Sequence, residues 1–195
     1  KARKIRHILK NWVDADLSEV VVLDVGCSSG LVTTQLAPLF GGTVGLDYDR
    51  TALADAVPAP DRRLSYLRGD AMSLPFASAS VELVLCAQTY EHIPNSSRMF
   101  VEIHRVLCPA GIVFFSGPNW LFPIEPHYHL PFLHWLPEKV ANGYLRVLGY
   151  GSAYYERSYH IWRLRRLLTG FDIEPVTLRV MHYLFLPAGS PLGEV

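Results

Sequence analysis

Three aspartates that each close a short apolar run constrain this chain more than anything else in it. They are Asp24 in VVVLDVGCSSG, Asp47 in TVGLDYD and Asp70 in YLRGDAMSLPF. Residues 20–25 are a continuous β-branched run, which suits a strand buried on both faces. Residues 26–30 supply a tight small-residue turn, and residues 31–39 carry a helical pattern. Glycine at both ends of that turn lets a ligand approach the backbone and exposes N–H groups where the helix begins. In open α/β sheets ligands bind outside the carboxyl ends of the strands, and all three aspartates fall there. Asp47 lies about twenty residues past the turn, where an acid accepts both hydroxyls of a ribose. Helix capping accounts for any one of these aspartates, but poorly for three in succession on one rim.

The alternation continues down the chain. Strands are expected at residues 43–46, 64–67, 81–86 and 112–116. Helices are expected at 50–57, stopped by Pro58 and Pro60, and at 99–107, halted before Pro109. Strands alternating with helices over short loops predict a doubly wound, mainly parallel α/β sheet with helices on both faces. After Gly117 the pattern lapses: five prolines from Pro118 to Pro137 stand among aromatic residues and histidines, which predicts an ordered lid inserted after strand five. Helices follow at 137–148, with Pro137 first and Gly149 beyond its end, and at 159–168, capped by Ser158 and ended by Gly170. Residues 171–186 carry strand material, and the final strand of the sheet is expected to be missing near Val195. Residues 1–12 set Ile5, Ile8, Leu9 and Trp12 at helical spacing among basic residues, an amphipathic helix packed on the body. The whole reads as one domain over 1–195, with its core at about 19–117 and 158–195 and the lid at about 118–157.

Composition removes other classes. Eighteen Lys plus Arg balance eighteen Asp plus Glu, so the chain is not built to neutralise nucleic-acid phosphate, and no nucleic-acid partner is expected. Arg163, Arg165 and Arg166 on one helix read as a solvated face. Cys27, Cys86 and Cys108 form no CxxC pair, which argues against a disulfide framework and a structural zinc site alike. No apolar run approaches the roughly 20 residues that span a bilayer, leaving only transient contact with a membrane surface open. No apolar stretch of signal-peptide length follows the basic start, and a reducing cytoplasm is the expected compartment. The chain opens on Lys1 rather than methionine, which fits a trimmed end.

From about residue 20 to 116 the chain resembles the class I S-adenosylmethionine-dependent methyltransferases of small-molecule type, which have a Rossmann-like core. Residues 164–180 carry a weaker echo. The landmarks are VVLDVGCSSG, TVGLDYD, LRGDAMSLPF, ASVELVLCAQTYEHI and IHRVLCPAGIVFFSGPN. The resemblance implies S-adenosyl-L-methionine as cofactor. It implies that Asp24 and the turn residues Gly26, Cys27, Ser28 and Gly30 hold the methionine end. Asp47 would accept the ribose hydroxyls, with Tyr48 beside the adenine. Asp70 would bind the adenine amino group, and the backbone at Ala71 and Met72 would complete that pocket. Gln88 falls where the family contacts the methionine portion. Ser28 departs from the pattern, because the family's turn often has a glycine in the middle.

A sulfonium methyl donor is already activated, so the protein's task is orientation and exclusion of water. A base is needed only where the acceptor must lose a proton. His92, beside Glu91 after strand four, and His127 and His129 of the lid are the candidate catalytic residues. Trp120, Phe122, Tyr128, Phe132 and Trp135 suit a small organic acceptor of apolar or aromatic character, packing of the lid being the competing use of those rings. The HxH spacing of His127 and His129, with His134, can also be read as metal ligands. No paired cysteines accompany them and the transfer itself needs no metal, so none is expected.

Three other functions share parts of this pattern. Residues 26–30 spell the G-x-S-x-G nucleophile elbow around Ser28, but too early in the chain for a hydrolase, and Asp47 would go unexplained. A dinucleotide-dependent oxidoreductase wants G-x-G-x-x-G, whereas here G-x-x-x-G is followed by Leu31. A non-catalytic cofactor-binding scaffold would keep every motif and fill the space near Glu91, His92 and His127.

Overall fold

A computed structural model describes residues 1–13, 16–58, 63–151, 153–177 and 181–187. Five strands are parallel: β1 (Val21–Val25), β2 (Gly42–Asp47), β3 (Leu64–Arg68), β4 (Val81–Ala87) and β5 (Leu107–Gly117). Two more, β6 (Phe171–Thr177) and β7 (Met181–Pro187), extend the sheet antiparallel, in the order β3-β2-β1-β4-β5-β7-β6. The chain thus moves outward from β1 to β3 and returns to β4 on the other flank of β1. Such a reversal opens a crevice at the carboxyl ends of the two central strands.

Alternation along the central strands explains why both faces are covered. Val22, Leu83, Leu85, Ile112 and Phe114 pack on one face with Ile5, Ile8 and Leu9 of α1 (Ala2–Trp12) and Leu36 of α2 (Leu31–Leu36). Their neighbours Leu23, Val25, Val84, Cys86, Val113 and Phe115 pack on the other face. There they meet Met99, Phe100, Ile103 and Val106 of α4 (Ser96–Val106) and Leu164 of α6 (Ile161–Leu167). With a period of two, one residue of register exchanges the faces, so the apolar runs have to be continuous. The basic first helix packs as expected, except that Trp12, its last residue, is half exposed.

Several boundaries differ from the sequence expectation, each for a local reason. Helix α4 starts at Ser96, earlier than expected, because Asn95 caps it, its Oδ1 accepting from the Arg98 N–H at 3.1 Å. β5 begins at Leu107 and tolerates Pro109 because the β4–β5 register slips between Val81 and Leu83, opening a bulge. The short α3 (Arg50–Ala54) is capped by Asp49, and Pro60 lies outside the described residues. His160, not Ser158, caps α6: its Nδ1 accepts from the Arg163 N–H at 3.2 Å. The run at 171–186 is longer than most of its neighbours and folds back as β6 and β7. The edge expected to lack a strand therefore carries this pair, while Val195 is outside the described residues.

Between β5 and α6 the chain builds a small body of its own. A 3₁₀ turn at Leu133–Trp135 and α5 (Glu138–Val147) bury Leu133, Ala141 and Leu145 against Tyr128, Leu130 and Tyr144. Three bonds tie both of its ends to the turn after β4. The Tyr90 hydroxyl donates to the Pro118 carbonyl at 2.8 Å and accepts from the Tyr159 N–H at 3.1 Å, and the Arg157 N–H donates to the Glu91 carbonyl at 2.9 Å.

Candidate active site

A cleft of about 770 Å³ opens at the carboxyl ends of β1, β2 and β4. That is ample for an organic molecule of cofactor size. Of the residues expected there, Gly26, Ser28, Asp47, Tyr48, Asp70, Ala71, Met72, Gln88 and His92 line it. Asp24, Cys27 and Gly30 are not in its lining.

The turn after β1 is held by β2. The Gly26 and Cys27 N–H groups donate to the Leu46 carbonyl at 2.8 and 3.1 Å, and Ser28 N–H donates to Asp47 Oδ2 at 2.7 Å. The other oxygen of Asp47 accepts from the Asp49 N–H at 2.9 Å. Each carboxylate oxygen keeps a further lone pair, so this acid is fixed in place and still open to two hydroxyls. Gly26 has φ +78°, and a Cβ there would collide with the Thr89 side chain. Gly30, at φ +70°, is pressed by the Tyr66 ring in the same way. Ser28 holds a left-handed φ of 51° with a side chain, a sparsely populated conformation that its backbone bond to Asp47 helps to maintain.

Asp24 lies one residue before the end of β1, which turns it away from the cleft. It shares the face of Val22, where it accepts from Thr33 Oγ1 of α2 at 2.6 Å. Burial pushes its pKa up to about 6, against the bond from Thr33, with the negative charge of Asp47 adding to the rise. Cys27 is buried too, and that burial, with the nearby carboxylates of Asp24 and Asp47, pushes its thiol up to about 12. It is a packing residue of the turn rather than a reactive thiol.

On the opposite wall Asp70 closes a tight turn: its Oδ1 accepts from the Met72 N–H at 2.8 Å, and its carbonyl accepts from Ser73 N–H at 2.9 Å. Tyr48 is 69% exposed, with the Arg68 guanidinium 5.5 Å from its ring centre. Gln88 has a positive φ of 64°, its N–H donating to the Ser116 carbonyl at 2.7 Å. A non-glycine residue in that region at a cleft wall is held there by its surroundings.

Sequence reasoning did not single out Asp49, Ala52, Gly69, Thr89, Ile93, Pro94 or Tyr155, all of which line the cleft. Most are neighbours of residues that were named. Tyr155 arrives from the far end of the lid, and nothing in its local pattern marks it.

At the mouth of the cleft, His92 packs edge-on to His127, their ring centres 5.1 Å apart. Glu125, fully buried, accepts from His127 Nδ1 and from the N–H groups of His127 and Tyr128, each at 2.7 Å. Burial acts to raise the Glu125 pKa, but those bonds, His127's first, hold it below the usual carboxylate value. The same bond raises the pKa of His127, whereas burial and the neighbouring His127 lower that of His92. Glu91 is 1% exposed, its pKa is pushed up to about 7 by burial, and neither of its carboxylate oxygens has a hydrogen-bond partner. His129 is not brought into this group: its φ of 56° breaks the extended segment that would set it beside His127. His134 is turned to Trp120, its Nε2 2.9 Å from that residue's carbonyl oxygen.

Known proteins share the sequence pattern and the fold of this chain. A methyltransferase-domain family model matches residues 23–115. An uncharacterized methyltransferase of Mycobacterium tuberculosis is 32% identical over 131 residues, covering 66% of this chain and 51% of that protein. One from Mycobacterium sp. strain JLS is 33% identical over 146 residues, covering 71% and 57%. The chain thus spans about half the length of the curated relatives it matches. Among solved structures, an S-adenosylmethionine-dependent methyltransferase of Mesorhizobium loti superimposes with a TM-score of 0.68 at 19% identity, over 95% of this chain and 96% of the other. At that identity the likeness concerns the fold alone. The family model and the sequence relatives place the core of this chain, residues 23–115, among methyltransferase domains, and its fold is that of the S-adenosylmethionine-dependent methyltransferase of known structure.

Proposed function

We propose that the cleft binds S-adenosyl-L-methionine and that the protein transfers its methyl group, by in-line displacement, to a small organic acceptor of apolar or aromatic character. The observation that carries this reading is Asp47, locked by the Ser28 and Asp49 N–H groups with lone pairs left for two ribose hydroxyls. Tyr48 offers a face for the adenine, Asp70 an acceptor for its amino group, and the Ala71–Met72 backbone the rest of that pocket. Gly26, Ser28 and Gln88 take the methionine end. Asp24, Cys27 and Gly30 act from behind, by fixing the turn. The bound sulfonium supplies an activated methyl carbon and a neutral sulfur leaving group. The protein's share is to align an acceptor atom with the carbon–sulfur bond and to keep water out. His92 and His127 stand at the acceptor end, and the aromatic body over residues 118–157 acts as the cover that selects the acceptor.

Calorimetric titration with S-adenosyl-L-methionine, its demethylated product and NAD in parallel tests the reading. Saturable binding of the first two and none of NAD is the expected result. Binding of NAD alone would transfer the glycine turn and Asp47 to an oxidoreductase, and a folded sample that binds none of the three would overturn the reading.

A further inference from the structure

Glu91 presents a problem that the cofactor cleft does not solve. Both of its carboxylate oxygens are buried and without hydrogen bonds, which disfavours the charged form relative to water. A buried acceptor of this kind calls for a partner that completes it. His127 Nε2 lies 3.9 Å from Glu91 Oε1, too long for a hydrogen bond. His92 completes the group, and the ligand-type atoms of Glu91, His92 and His127 all lie within 4.8 Å of one another.

Two details separate this arrangement from a chance meeting of side chains. His127 Nδ1 is bonded to Glu125 Oε1 at 2.7 Å, which fixes the proton on that nitrogen and turns Nε2, with its lone pair, towards Glu91. A buried carboxylate behind an imidazole is the usual support of a metal-bound histidine. The other detail is access from one side only. Glu91 and Glu125 are buried, whereas the His127 side chain is 27% exposed. Donors bound to one ion at roughly 2.0–2.2 Å close up slightly from the present spacing.

We propose that Glu91, His92 and His127 bind one divalent first-row transition ion, with Glu125 as the positioning residue behind His127. One carboxylate oxygen and two imidazole nitrogens are a donor set for zinc or iron(II) with coordination positions left open. The ion supplies the Glu91 oxygens with the partner they lack. His92 belongs both to this group and to the cleft wall, so the open positions adjoin the space beside the cofactor. On the methyl-transfer reading, they take an oxygen or nitrogen of the acceptor. His92 and His127 are then ligands and not proton acceptors. The ion itself requires only the geometry.

Titration of the metal-free protein with Co²⁺, followed by visible absorption, and with Zn²⁺ against a chromophoric chelator tests the site. The wild type is expected to bind one equivalent of each with a four- or five-coordinate cobalt spectrum. Glu91→Gln and His127→Ala should each weaken binding at least tenfold, and Glu125→Gln by roughly 10–100-fold. His129→Ala and His134→Ala should leave it unchanged. Wild-type affinity in Glu91→Gln, or loss of binding in His129→Ala, would overturn the proposal. Should Glu91→Gln fail to fold, His127→Ala, changed at a partly exposed position, decides in its place. Binding of S-adenosyl-L-methionine, measured on the same samples, separates the two readings: a protein that binds cofactor and no ion sinks the metal site alone.

Discussion

Asp47 spans the loop after β1 and the loop after β2 with one carboxylate, accepting from Ser28 and Asp49 N–H. Both donors are exposed, so in Asp47→Ala water replaces the carboxylate and the fold survives. What disappears is the acceptor for two ribose hydroxyls. Affinity for S-adenosyl-L-methionine should fall by about 1–3 kcal/mol, read by calorimetry, and an undiminished affinity would move the ribose elsewhere. Gly26→Ala is a steric probe of the same turn. It combines a positive φ with a Cβ driven into Thr89, whose hydroxyl donates to the Val25 carbonyl at 3.0 Å. A loss of about 1–3 kcal/mol in urea unfolding is expected, with weakened cofactor binding, because the turn itself must shift. At this scale the sequence is informative where chemistry coincides with a strand end. Asp47 ends β2 and lines the cleft, whereas Asp24 stands one residue short of the end of β1 and turns to Thr33. A single residue of strand register, which no motif encodes, separates the two roles.

Among the elements, the parallel strands were legible because each is a short apolar run followed by a turn. The cover was legible only as a break in that pattern. Its proline density excludes a long helix or strand but leaves the path of the chain unspecified, and so Glu91, His92 and His127 could be grouped from the sequence while the bond from His127 to Glu125 could not. HxH spacing pairs His127 with His129 in the sequence, whereas the left-handed φ of His129 parts them. The tie between cover and sheet is the Tyr90 hydroxyl, which serves the Pro118 carbonyl and the Tyr159 N–H. Tyr90→Phe keeps the ring and leaves both of these groups short of a partner. Global stability should fall by about 1–3 kcal/mol, and hydrogen exchange should rise first at Asn119 and Tyr159, where the cover is joined to the body. Uniform acceleration across the sheet instead would show that the hydroxyl supports the core and not the cover.

For the whole molecule, the siting of Asp24 has a consequence for stability against pH. Its carboxyl has a pKa of about 6 in the folded protein, against 3.8 for the free side chain, because burial disfavours the charge. Below pH 3.8 the folded and unfolded chains both hold the proton, and the group makes no difference. Between that pH and about 6 the unfolded chain ionises while the folded one keeps its proton, so the unfolded state gains and stability falls as pH rises. Above about 6 both are ionised and the cost is constant, at roughly 3 kcal/mol for a shift of this size at ~1.4 kcal/mol per pH unit. Asp24→Asn keeps an oxygen for the Thr33 hydroxyl and removes the ionisation. The variant should therefore gain on the wild type progressively from pH 4 to pH 7 in urea unfolding, and hold a constant advantage above that. Parallel curves for the two proteins would mean that Asp24 titrates in the fold as it does in the unfolded chain. The β1 aspartate would then be a solvated acid of the rim, as its sequence position first suggests, and not a buried brace between β1 and α2.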